Sequence, residues 1–280
     1  MSGFSALWLD LREPADRRSR APVLIQTLAR HLNGREEVRV IDLGCGSGAN
    51  LRATAPALGL QQNWMLVDHD TALLESARAR LCAWAERAEA TPKGVRLIAQ
   101  GRDITVRFAC ADLAHDLESL LADDDAADVV TASALFDLCS GAFVERCVAA
   151  IAKRHSAFYT ALTFDGRQTW TPAHPADPRM LDAFSAHQQT DKGFGVALGP
   201  KAPAALKEAF EGHGYRVAEA SSPWQLGVGD QALIHTLSIS FADAVAETGL
   251  LDHAALADWR QLQRMGALIG HIDTLALPFG

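Results

Sequence analysis

The amino-acid sequence predicts an α/β domain with a doubly wound, mostly parallel sheet, on three observations. Apolar runs of strand length alternate with stretches of helical period along most of the chain. The first such run, ending at Leu43, leads into a loop in which Gly44, Gly46 and Gly48 are spaced by single residues. Two later runs end in Asp68 and Asp112, so loop and acids fall together at the carboxyl edge of the sheet, where open α/β sheets take up their ligands.

Within the first run, Val38, Val40 and Ile41 have the β-branched character of a strand buried on both faces. The glycines then let the backbone take positive φ and approach a ligand closely. Helix-compatible residues follow, which places the loop at a helix N-terminus with free N–H groups facing the ligand. The spacing alone leaves two readings open, because Gly44, Gly46 and Ala49 also satisfy the dinucleotide fingerprint G-x-G-x-x-G/A. Asp42, just ahead of the loop, is unhelpful beside a pyrophosphate and tolerable beside an ammonium and a sulfonium.

With these residues in view, Asp42-Leu-Gly-Cys-Gly-Ser-Gly48 resembles the first motif of the class I S-adenosylmethionine (SAM) dependent methyltransferases. The resemblance implies a Rossmann-like sheet of seven strands, the seventh antiparallel between the fifth and sixth, and a SAM cofactor. By the same resemblance Gly44, Cys45, Gly46 and Gly48 face the methionine part and Asp42 helps to hold its ammonium, directly or through water. Asp68, with His69 beside it, holds the ribose hydroxyls, Asp112 and Leu113 meet the adenine, and Ser133 lies at the gap between cofactor and acceptor. The activity implied is in-line transfer of a methyl group to a small-molecule O- or N-nucleophile, where positioning does most of the work. Two rivals stand beside it: an NAD(P)-dependent oxidoreductase, and a non-catalytic SAM-binding protein.

The totals exclude several other classes. The 280 residues suffice for a single domain, 1–280, with a full core. Hydrophobic residues make up 49% and charged ones 21%, which rules out a largely disordered chain. No apolar run approaches the roughly 18 residues of a membrane span. The first residues mix acids with bases around no apolar centre, unlike a signal or transit peptide, so the expected location is the cytoplasm. Five cysteines without a C-x-x-C pair point to free thiols rather than zinc or disulfides, and no metal is expected. A net charge of −8 argues against a nucleic-acid partner. The expected partner is a small molecule, and a homodimer is allowed.

In chain order, residues 1–36 form a helical cover. Their basic cluster, 12–20, reads either as a solvated helix face or as a helix opened by Pro14 and folded over the cofactor, with Arg20 reaching the SAM carboxylate. Residues 38–163 form the cofactor-binding core. There a crossover helix over 71–90 stops at Pro92 and Gly94, and the runs VRLIAQ and ITVRFAC make a hairpin feeding the third parallel strand. The acids 123–125 read as a solvated loop rather than a metal site. A fourth strand, ADVVTAS, a helix over 143–153 and a fifth strand over 156–163 follow. At 164–200 the alternation breaks, and a long segment without hydrophobic period reads as an acceptor lid inserted after the fifth strand. In the C-terminal half, 201–280, come a helix over 202–212, the strand YRVAEASSPW and a helical insertion over 230–247 and 254–265. Residues 271–277 supply the antiparallel last strand, with ALIHTLSIS as the competing choice.

Acceptor-side candidates gather behind the fourth strand and in the lid. Some nucleic-acid and protein methyltransferases carry an Asn/Asp-Pro-Pro-aromatic motif where this chain has Ala-Leu-Phe-Asp, which counts against adenine or glutamine amides as acceptors. Asp137 reads either as the group that orients or deprotonates the acceptor or as a helix N-cap, and Phe136 as an acceptor contact. From the lid, Trp170, His174, Gln188 and Lys192 are expected to touch the acceptor. His187, of the residue type that titrates nearest neutrality, is expected to act with Asp137 as general base.

Overall fold

The computed structural model describes residues 5–122 and 127–279. The acidic stretch 123–125 lies outside them. Two helices come first, α1 (Ala6–Ser19) and α2 (Pro22–His31). The first half of the sheet interleaves β1 (Val38–Leu43), α3 (Ala49–Thr54), β2 (Gln61–Asp68) and α4 (Thr71–Trp84). After them come β3 (Arg87–Thr91), β4 (Gly94–Ala99), β5 (Arg102–Cys110) and α5 (Leu113–Ala122). The second half adds β6 (Val129–Ser133), α6 (Gly141–Lys153), β7 (Ala157–Thr171), α7 (Asp177–Gln188) and α8 (Ala202–Gly212). The chain closes with β8 (Tyr215–Ser221), β9 (Trp224–Leu226), α9 (Gln231–Thr248), α10 (His253–Gln261) and β10 (Gly266–Pro278). Among the described residues no helix is long and apolar enough to cross a membrane.

Among the described residues the sheet has ten strands in the order β3-β4-β5-β2-β1-β6-β7-β10-β8, with β9 paired to β10. Strands β5, β2, β1, β6 and β7 are parallel, and β10 runs antiparallel to both β7 and β8. The expected seven strands are therefore corrected to ten: the β3–β4 hairpin extends one edge and β9 continues the turn out of β8. Apolar layers cover both faces. Leu117, Val148 and Leu206 of α5, α6 and α8 pack on one side, and Leu28, Leu51 and Leu81 of α2, α3 and α4 on the other.

Four local expectations change for physical reasons. The crossover helix ends at Trp84, because residues 87–91 find a partner in β4 and close a turn at Pro92 and Lys93 between paired Thr91 and Gly94. Edge pairing there overrides a helix-favouring composition. Pro14 lies inside α1 rather than opening it; Ser5 caps that helix and Pro22 opens the next. The segment 164–200 is mostly regular. Its first part extends β7 against β10, a pairing distant in sequence, and α7 buries Met180 and Ala183. Finally, ALIHTLSIS belongs to α9, and the last strand is β10, longer than expected.

Candidate functional site

The loop after β1 has the predicted backbone: Gly44, Gly46 and Gly48 all take positive φ, at 63°, 52° and 76°. Gly48 opens α3. Close packing explains the missing side chains, since a Cβ on Gly46 would stand 3.0 Å from the Leu9 side chain of α1 and one on Gly44 3.2 Å from that of Leu135. The loop is thus enclosed between the N-terminal helix and the turn after β6.

Beneath it lies a polar cluster of predicted residues joined by one that the sequence did not single out. Asp42 is wholly buried, and its Oδ1 accepts from Asn50 Nδ2 at 2.7 Å. Burial pushes the Asp42 carboxyl up to about 7, raised further by Asp68 and opposed by the Asn50 amide and the Arg20 charge. Arg20 donates to Asn50 Oδ1 at 2.8 Å and to Ser133 Oγ at 3.1 Å. Asn50 therefore ties Asp42 to Arg20, and its place on the first turn after the glycines was the available signal. Two buried atoms of the cluster, Asp42 Oδ2 and Arg20 Nε, have no hydrogen-bond partner among the described residues.

Asp68 closes β2 beside the loop. Its Oδ2 accepts from Gly46 N at 2.8 Å and its Oδ1 from Asp70 N at 3.0 Å. His69 is exposed, with Nδ1 3.5 Å from Asp68 Oδ1. Asp112 is exposed at the start of α5, and the Ala114 N–H, then His115, hold its carboxyl below the usual range. Leu113 turns its side chain into the core. Cys45 is buried, and burial raises its thiol well above the ordinary value, as do Asp42 and Asp68. It is a protonated, inert thiol. Among the described residues no cluster could hold a metal ion.

On the acceptor side the structure separates what the sequence grouped. Asp137 sits in the short turn Phe136–Leu138, and the cap of α6 is Ser140, whose Oγ accepts from Phe143 N. The N-cap reading of Asp137 is thereby corrected. Burial pushes its carboxyl up to about 6, against its own backbone N–H, the Arg12 charge and the Phe164 backbone N–H. His187 is not brought to it: the imidazole Nε2 lies 2.9 Å from Glu247 Oε2, across the contact between α7 and α9. Phe136 is fully buried against Phe158. Trp170 is packed among Phe241, Trp259 and Arg264, and His174 holds the start of α7, with Nδ1 accepting from Ala176 N and Nε2 facing Asp258. Rings and polar groups of the protein thus surround Phe136 and His174, and Trp170 keeps a buried Nε1 that has no partner among the described residues. Gln188 lies against Gly199, and Lys192 is half-buried in a turn where Asp191 accepts from Gly193 N and Gly195 N.

Helices α1 and α2 join the core through Ala15, Ala21, Leu24, Leu28 and Leu32, and α1 adds polar contacts. Glu13 pairs at 2.6 Å with Arg52, which also donates to the Ser47 carbonyl of the loop, and Arg18 pairs at 2.7 Å with Asp230 at the start of α9, while Ala15 is the buried residue of α1.

No protein-family model and no curated protein matches the chain. Solved structures do. BH2331 of Bacillus halodurans, named a putative methyltransferase, is similar at 12% identity over 91% of this chain and 99% of that one, with a TM-score of 0.53. A cyclopropane-fatty-acyl-phospholipid synthase-like protein of Lactobacillus casei has 13% identity over 98% and 95%, at 0.52. YcgJ of Bacillus subtilis has 14% identity over 93% and 100%, at 0.50. Together with the strand order, these likenesses give the chain the class I methyltransferase fold.

Proposed function

We propose that the chain binds SAM at the glycine loop and transfers its methyl group to a small-molecule O- or N-nucleophile. The observation that carries the reading is the pair of unpartnered buried atoms below the loop, the acceptor Asp42 Oδ2 and the donor Arg20 Nε. An α-amino acid presents an ammonium and a carboxylate, which match one of each. A pyrophosphate matches neither Asp42 nor a loop whose Gly46 N–H is already given to Asp68.

Asp68 would hold the ribose and Asp112 the adenine. When bound, SAM supplies an electrophilic methyl: the acceptor's lone pair forms the new bond to carbon as the carbon–sulfur bond breaks and its electron pair stays on sulfur. The chain's part is to orient the acceptor, exclude water beneath α1 and accept a proton at Asp137 where the acceptor carries one.

Asp68→Ala is expected to weaken SAM binding about 10–100-fold, since the ribose hydroxyls and the Gly46 N–H lose their acceptor, roughly 1–3 kcal/mol. Isothermal calorimetry with SAM, and with NAD as the contrast, tests this. A midpoint raised by NAD and not by SAM in thermal melts would overturn the cofactor.

Asp42 adds a second signature. With a carboxyl at about 7, it is partly protonated in the free protein near neutrality, and an ammonium beside it favours the ionised form. SAM binding at pH 7 should release about half a proton, and less as pH rises above the Asp42 value. Binding enthalpies in buffers of different ionisation heat measure this. Equal enthalpies across buffers would remove Asp42 from the ammonium site.

A further inference from the structure

A second set of unsatisfied buried groups lies away from the glycine loop, where β10 meets β7. His271 pairs with Phe164 across the two strands and is 5% exposed. Its ring centre lies 5.2 Å from that of Trp224 and 6.3 Å from that of Phe164, edge-on to both. Gly270 makes this position available. A Cβ there would collide with Asp165 Oδ1, and β10 bulges between Ile269 and His271.

Burial, with the Arg12 charge, pushes the His271 imidazole down to about 3; Asp165 and the Ser222 backbone act upward and Arg167 downward. The ring is neutral at pH 7. The Ser222 N–H donates to the His271 backbone carbonyl at 2.9 Å, and the ring's Nδ1 is buried with no partner among the described residues. Across Phe164, Asp137 Oδ1 is also buried and unpartnered. Arg12, stacked 5.0 Å above the Trp224 ring, acts on both groups.

A buried acceptor without a donor is destabilising, and two of them beside one phenylalanine call for a ligand that donates. A carboxylate would meet two acceptors and no donor. A cation would lie beneath Arg12. The roof is α1, held by ion pairs to Arg52 and Asp230 and by Ala15, Trp8 and Leu11 packed against the core.

Resting on the methyl-transfer reading, we propose that His271 is an acceptor-binding residue whose Nδ1 takes a hydrogen bond from the O–H or N–H of an uncharged, ring-bearing acceptor lying against Trp224 and Phe164. Asp137 takes the proton that such an acceptor sheds. The two roles divide by basicity: Asp137 ionises near neutrality and suits proton removal, and His271 stays neutral beside a cationic cofactor and suits orientation.

The test uses His271→Phe, which keeps the ring packing and deletes the nitrogen, and His271→Asn, which restores an acceptor oxygen. Wild type is first incubated with methyl-labelled SAM and a protein-free, low-mass extract of the producing cells, and the labelled product identifies the acceptor. His271→Phe should then raise KM for that acceptor about tenfold, with SAM affinity and the acid limb of the pH–rate profile unchanged and a Tm no lower than wild type. His271→Asn should recover most of the loss. An unchanged KM in His271→Phe overturns the proposal, as does a KM that rises together with lost SAM affinity. SAM binding without label in any small molecule overturns the methyl-transfer reading instead.

Discussion

Asp137→Asn is expected to lose about 10²–10⁴-fold in turnover while keeping SAM affinity, the usual size of general-base help. The substitution is nearly isosteric, and its amide oxygen still accepts the backbone N–H groups that hold the wild-type carboxylate. What it removes is the basic oxygen. Burial has set that oxygen at about 6, so the wild-type rate should fall as pH drops through about 6, where the carboxyl takes up its proton. The fall should be absent in Asp137→Asn. The measurement is a pH–rate profile on the labelled acceptor, with calorimetry for SAM on the same preparations. Turnover within a few-fold of wild type, with the acid limb intact, would leave positioning as the whole of the catalysis and reduce Asp137 to a structural acid.

The glycine turn was legible because its demands are local. A tight glycine turn between a β-branched run and a helix has few other uses, and the spacing of Asp42, Gly44, Gly46 and Gly48 writes that turn into consecutive residues. The residues of the proposed acceptor side were not, because they meet through tertiary pairing. His271 stands in an alternating strand whose partner, Phe164, is more than a hundred positions earlier, and nothing adjacent in sequence marks its nitrogen as unpaired. His187 drew attention for being a histidine among polar neighbours. In the structure those neighbours include Glu247, which takes it up. The irregular look of 164–200 had the same origin: residues 164–171 are strand because β10 lies beside them, and a strand that depends on a distant partner has little period of its own. One further signal was available. The last strand carries His271, Asp273 and Thr274 in an otherwise apolar run, and polar residues in a buried strand call for partners.

Asp273→Ala is expected to cost at least about 3 kcal/mol of stability, because the carboxylate is the shared acceptor for donors from α2, β7 and the turn after β8. It is wholly buried. Its Oδ2 accepts from Ala21 N at 2.9 Å, where α2 begins, and from Tyr159 Oη at 3.4 Å. Its Oδ1 accepts from Leu162 N at 2.9 Å and from the Ser222 hydroxyl. Leu162 has a φ of 60°, a strained value for a side chain of that size, and the bond from its N–H holds it there. Removing the carboxylate strands donors from α2, β7 and the turn after β8 together, each unmet donor costing roughly 1–3 kcal/mol. For a chain of this length 3 kcal/mol corresponds to a Tm lower by roughly 6–12 °C. Ala21 also follows Arg20, so the loosened start of α2 should release the guanidinium from Asn50 and Ser133 and weaken SAM binding in the folded fraction. Thermal melts with and without SAM measure both effects. A Tm within about 2 °C of wild type would show that α2 is held by its apolar face, Leu24 and Leu28, and that the buried carboxylate is replaceable.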